Sequence, residues 1–242
     1  MEYIKNDLND SINHKIVSGG YYNNKESIII PEGNVKKILA LNQIIRFDYQ
    51  EAMLTSYYKV SDEYCVTAIP KCACSTTALQ TLHYNGLISV EDCEKEKYKH
   101  IHKLHSKARE VNHNVDFNSL IKVQIIRDPL ERFISAYHTL NYSDTNWNCF
   151  LYEKAKDIMK DDRHFAPQYL YSKHPDIYVY IKDYEKFCAE HGIEYLPANI
   201  NNKPEYLNFK ITENDKEYIK ELYYKDYDFL EHIKNTGKIW TY

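Results

Sequence analysis

Pro70-Lys71-Cys72-Ala73-Cys74-Ser75-Thr76-Thr77 stands between an apolar run, Cys65-Val66-Thr67-Ala68-Ile69, and a helix-like run, Ala78-Leu79-Gln80-Thr81-Leu82, closed by Gly86. The pattern reads as a buried strand, a tight loop and a helix N-terminus. A helix N-terminus presents unpaired backbone N–H groups and a positive dipole end, which suits a phosphate. Lys71 adds a point charge, and Ser75, Thr76 and Thr77 add hydroxyls placed for capping. The nucleotide-hydrolase loop G-x-x-x-x-G-K-[ST] needs glycines, and none occurs between Val66 and Gln80. The loop therefore predicts a phosphate-bearing ligand and argues against an ordinary ATPase, GTPase or kinase.

A second strand pattern, Lys122-Val123-Gln124-Ile125-Ile126, runs into Arg127-Asp128-Pro129-Leu130-Glu131-Arg132-Phe133-Ile134-Ser135-Ala136-Tyr137. Pro129 suits the first turn of a helix, with Asp128 placed to cap it. Arg127 then lies at the C-terminal end of a strand, and Ser135 two turns into the next helix. An arginine fork with a hydroxyl can hold a second, separate phosphate. Arg132 lies on another helical face from Ser135, and is expected to be either a ligand contact or a solvated or salt-bridged residue.

These two elements resemble the sulfotransferases that use 3′-phosphoadenosine-5′-phosphosulfate (PAPS), in the branch of the Golgi carbohydrate sulfotransferases and their bacterial relatives. Arg163-His164-Phe165-Ala166-Pro167-Gln168 resembles that family's H-[WF]-x-P-Q element, and Tyr223-Tyr224-Lys225-Asp226-Tyr227 its C-terminal Y-x-x-D-[FY] pattern. The likeness spans roughly residues 62 to 232. It implies an α/β fold, with a P-loop-like parallel sheet flanked by helices. It also implies PAPS as co-substrate. Lys71, Cys72, Ala73, Cys74, Ser75, Thr76 and Thr77 would grip the 5′-phosphosulfate, and Arg127 and Ser135 the 3′-phosphate. Lys71 is expected to stabilise charge on the leaving oxygen. Uronyl-type relatives carry their base in a histidine cluster between the two motifs. His100-Ile101-His102-Lys103-Leu104-His105 occupies that interval here, so His105 is the first expectation for the base, His102 the second and His164 the rival. The acceptor is expected to be a sugar hydroxyl. The alternatives are a small non-sugar alcohol, phenol or amine, or a catalytically inactive nucleotide- or glycan-binding module of the same fold.

The chain has 242 residues and a formal net charge of −4, from 31 Lys+Arg against 35 Asp+Glu. That length predicts one large domain, with residues 1–60 an N-terminal extension packed on a sulfotransferase domain of 61–242. The charge gives no global signature for nucleic acid. No apolar run approaches the ~18 residues of a membrane span. The polar start, Met1-Glu2-Tyr3-Ile4-Lys5, lacks a signal-peptide core, so a cytoplasmic protein is expected. Cys65, Cys72, Cys74, Cys93, Cys149 and Cys188 form no C-x-x-C pair, which predicts free thiols and no metal site. The 24 tyrosines fit a core or a sugar-stacking surface equally. Further expectations are a helix from Glu91 to His105, a loop then helix from Asn141 to Lys160 capped by Asp144 or Thr145, a strand from Asp176 to Ile181, and one final helix from Glu213 to Ile233.

Overall fold

The computed structural model describes residues 57–92, 101–139, 146–172, 175–198 and 210–241, without the side chains of 101, 102, 139 and 161. Four short strands form one sheet in the order β1 (Tyr57–Lys59), β2 (Tyr64–Thr67), β3 (Ile121–Ile126), β4 (Ile177–Tyr180). Strands β2, β3 and β4 are parallel, in a register that pairs Val66 with Val123 and Ile126 with Tyr180. All four residues of β2 and the last four of β3 are buried. This is why both read as continuous apolar runs: helices cover both faces of a parallel sheet.

The parallel sheet carries one antiparallel strand at its edge. Strand β1 pairs antiparallel with β2. Only Val60 to Glu63 separate the two strands, enough for a hairpin and far too short for a parallel crossover. Ser61 makes the turn, its hydroxyl accepting from the amides of Glu63 and Tyr64 at 3.3 and 3.0 Å. Strand β1 thus lies inside the stretch read as an extension; residues 1–56 lie outside the described residues. Those described fall within one compact unit, Thr55–Tyr242.

Helix α1 (Cys74–Tyr84) leaves the β2 loop, and α2 (Ile101–Val111) precedes β3. Ala78, Leu79 and Leu82 of α1 pack on Leu104 and Ala108 of α2, the i, i+4 spacing of facing helices. The sequence left the end of this helix open, and the described part of α2 runs on to Val111. Helix α3 (Pro129–Thr139) follows β3, and the Asp128 carboxylate accepts from the Glu131 amide at 3.0 Å, the capping contact its position predicts. On the other side of α3, Phe133 and Tyr137 pack on Trp147, Phe150 and Phe165.

The helical run after the loop starts at Trp147, not after Asp144 or Thr145, which lie outside the described residues. Asn146 caps it, accepting from the amides of Asn148 and Cys149 at 3.0 and 3.4 Å. A π-wound turn, Phe150–Lys154, leads into α4 (Ala155–Asp161), and α5 (Tyr184–Glu190) follows β4. The expected single C-terminal helix is two, α6 (Glu213–Leu222) and α7 (Tyr224–Lys234). The break is at Tyr223, whose buried hydroxyl donates to the Phe165 carbonyl. Anchoring that ring turns the chain, and the turn sets Asp226 inside the domain, in the first turn of α7.

Candidate active site

The loop between β2 and α1 adopts a backbone that glycines usually supply. Lys71 and Ala73 both have positive φ, 67° and 56°. A non-glycine residue in the left-handed region costs roughly 1–2 kcal/mol, and such strain persists where the surroundings enforce it. Three contacts do so. The Cys72 amide donates to Ile69 O at 3.0 Å. Arg132 Nε donates to Pro70 O at 3.0 Å. Arg127 Nη1 donates to Lys71 O at 3.2 Å. The absent glycines, taken from the sequence as evidence against a nucleotide-hydrolase loop, are replaced by tertiary restraint.

Ala73 is the residue before α1, and no side chain caps this helix. The first backbone amides of a helix lack intrahelical acceptors, so this end offers donors to an anion. The hydroxyls divide. Thr77 Oγ1 donates to Ala73 O at 3.1 Å, and Thr76 Oγ1 accepts from the Ala198 amide at 3.1 Å; both residues are buried. Their side chains brace the loop. Cys72 is fully buried. Lys71, Ala73, Cys74 and Ser75 keep partial exposure.

His105 stands over this helix end. Its Nε2 lies 3.5 Å from Ser75 Oγ, at the outer edge of hydrogen-bonding distance. Its ring centroid is 6.5 Å from that of buried Tyr58. The His102 side chain and all of His100 lie outside the described residues. His105 and Lys71 also act on Cys74: burial pushes its thiol up, but these two partners outweigh burial and bring it down to about 7. Burial pushes the Lys71 ammonium below its ordinary value, and the charges of Arg127 and Arg132 add to that.

Arg127 extends from the end of β3, half-buried, with Nε 3.5 Å from the exposed carboxylate of Glu131. Ser135, partly exposed, lies one turn beyond Glu131, so the two share a face of α3, with Arg127 paired to Glu131 just ahead of the helix. His138 continues that face and was missed by the sequence reading. Burial and the Lys71 charge push its imidazole below the ordinary value. Its spacing of three from Ser135 was the available signal. Arg132 is not solvated. It is buried, with Nη1 donating to Ala166 O at 2.5 Å and Nε to Pro70 O. His164 is held by Asp162, with Nδ1 and Oδ1 2.7 Å apart.

Gln168 ties these parts together. Its Oε1 accepts from the Arg127 amide at 3.1 Å, and its Nε2 donates to the Arg127 carbonyl at 2.6 Å. Asp226 in turn accepts from the amides of Gln168 and Tyr169, both at 2.8 Å. Among the described residues no His, Cys, Asp or Glu cluster could hold a metal ion, and no described helix is long and apolar enough to cross a membrane.

The arrangement can bind two anionic groups a short distance apart, one at the α1 end beside Lys71 and one beside Arg127. An imidazole, His105, stands next to the first. The family model for the sulfotransferase family matches residues 57–232, from β1 into α7. No curated protein and no solved structure matches the chain.

Proposed function

We propose, from the premise that the chain belongs to the sulfotransferase family, that it moves the sulfuryl group of PAPS onto an acceptor hydroxyl, with a sugar as the acceptor. The observation that best supports this donor is the Arg127 guanidinium bonded to the Lys71 carbonyl, 56 positions away in sequence. It joins two anion-binding elements into one site, and PAPS carries two anionic groups. In this reading the amides at the start of α1, with Lys71 and Ser75, receive the 5′-phosphosulfate. Arg127 and Ser135 receive the 3′-phosphate.

In the transfer, the bond between sulfur and the bridging oxygen breaks and a bond from the acceptor oxygen to sulfur forms. Negative charge develops on the 5′-phosphate oxygen, where the Lys71 ammonium neutralises it; fixed charges of this kind carry large catalytic effects. The acceptor proton passes to His105, whose imidazole stands at the same helix end. The products are 3′-phosphoadenosine 5′-phosphate and the sulfate ester. The preference for a sugar rests on the family branch that the sequence resembles.

Calorimetry tests the donor. 3′-Phosphoadenosine 5′-phosphate is expected to bind one to two decades more tightly than ADP or AMP, the effect of a charge-assisted contact worth roughly 1.5–3 kcal/mol. Equal affinity for nucleotides with and without the 3′-phosphate would sink the assignment. Labelled PAPS with panels of sugars, phenols and amines then identifies the acceptor class.

A further inference from the structure

Strand pairing between β3 and β4 ends at Ile126 and Tyr180. Arg127 is the next residue, so its peptide groups have no rung of the ladder to join. The Gln168 side chain supplies one. A primary amide carries a donor and an acceptor in the same plane, and here both are used on a single residue: Oε1 accepts from the Arg127 N–H and Nε2 donates to the Arg127 C=O. The side chain pairs with Arg127 as a neighbouring strand would, fixing the direction in which the guanidinium leaves the sheet. Gln168 is itself fully buried. Its backbone amide is held by Asp226 Oδ2 at 2.8 Å, and its Oε1 lies 4.0 Å from the Cys72 sulfur in the loop that carries Lys71.

We infer that Gln168 is a positioning residue that sets Arg127 for the 3′-phosphate, and so gives the site its discrimination between 3′-phosphorylated and plain adenine nucleotides. The inference rests on the donor reading above. Gln168 is fully buried, and both atoms of its side-chain amide are taken by the Arg127 peptide. It acts through the Arg127 peptide, whose side chain also reaches the Lys71 carbonyl, so one buried amide holds a residue shared by both anion-binding elements.

The test is a ratio rather than an affinity. Full-length protein and the Gln168→Ala and Gln168→Glu variants are titrated with 3′-phosphoadenosine 5′-phosphate and with AMP, and each variant is melted to confirm folding. Gln168→Glu keeps an acceptor for the Arg127 amide and loses the donor to its carbonyl. In Gln168→Ala the preference for the 3′-phosphorylated nucleotide should shrink about ten-fold, on the scale of one or two displaced hydrogen bonds, while AMP affinity changes less than about two-fold. Gln168→Glu sets a carboxylate oxygen against the Arg127 carbonyl and buries a charge, so it should shrink the preference at least as much as Gln168→Ala. A general loss of structure would weaken both nucleotides together, so a uniform drop overturns the inference. So does an unchanged preference in both variants, and so does failure of both to fold, which would make Gln168 a residue of stability alone. Wild-type protein that does not discriminate between the two nucleotides defeats the donor reading instead, which is a different result from a discriminating wild type with unaffected variants.

Discussion

Lys71 combines three properties that rarely coincide in a solvated lysine: a left-handed backbone, a partly buried side chain and an ammonium pushed below its ordinary value by burial and two guanidinium groups. A bound phosphosulfate would reverse the last effect, because an anion favours the charged amine. In the transition state the leaving oxygen carries more charge than in the bound donor, so the gain is larger there. Lys71→Ala should therefore lower kcat by about 10²–10³-fold and raise KM for PAPS much less. Wild-type kcat with only a raised KM would reduce Lys71 to a binding residue. His105 is the proposed general base. It meets Ser75 at the helix end where the sulfuryl group would lie, and a general base contributes about 10²–10⁴-fold. His105→Ala should remove that factor at saturating PAPS and leave nucleotide affinity close to wild type. His102→Ala measured beside it separates the two histidines. Near-full turnover in both variants would move the base elsewhere, first to His164, whose ring Asp162 already orients.

At the scale of elements, strands β2 and β3 and the start of α3 were legible, because buried parallel strands give unbroken apolar runs and Pro129 marks a first turn. Three features were not. The left-handed loop carries no glycine to announce it. The break at Tyr223 interrupts Glu221-Leu222-Tyr223-Tyr224-Lys225, where no proline or glycine signals an end; it is made by a tertiary contact to Phe165. The backbone amide of Gln168 depends on Asp226, 58 positions away, beyond the reach of any local pattern. Asp226 also gives the C-terminal helix a pH signature. Burial raises its carboxyl to about 6, against the opposing pull of Arg132 and the two amides. A carboxyl raised in the folded state binds its proton more tightly there than in the unfolded chain. Its stabilising contribution is thus complete below about pH 4 and lost as pH rises through about 6. Asp226→Asn cannot titrate, and one of its two amide acceptors becomes a donor, which costs about 1–3 kcal/mol. Melting temperatures of the two proteins should differ more at pH 4 than at pH 7, with wild type ahead at pH 4. A difference independent of pH would show that Asp226 does not titrate in this range.

Across the whole molecule, one side chain joins the segments that the sequence presents separately. Arg132 leaves α3, donates to Pro70 O in the Lys71 loop and to Ala166 O in the segment leading to Gln168, and lies with its guanidinium carbon 5.9 Å from the Tyr171 ring centroid. It is fully enclosed, beside the buried aromatic cluster that α3 shares with Phe165 and Tyr223. The sequence could name Arg132 but left its role open, because a helical position does not tell whether a long side chain reaches solvent or crosses a domain. A buried charge of this kind is a poor source of net stability, since desolvation opposes what its partners return. Removing it is another matter, because the partners remain. Arg132→Leu would leave the Pro70 and Ala166 carbonyls without this donor and would take the nearby positive charge from Asp226. The cost is on the order of 3–5 kcal/mol, as for breaking a buried ion pair on one side. For a domain of this size, about 2–4 °C of melting temperature goes with each kcal/mol, so a fall of roughly 6–20 °C is expected. Arg132→Lys keeps the charge but can reach only one carbonyl well, and should fall in between. Because the lost contacts also release the strained loop, the surviving folded fraction of Arg132→Leu should bind 3′-phosphoadenosine 5′-phosphate and AMP more weakly by similar factors. That uniform loss is the opposite of the selective loss expected at Gln168. A melting temperature within about 2 °C of wild type would mean that Arg132 does not join these segments.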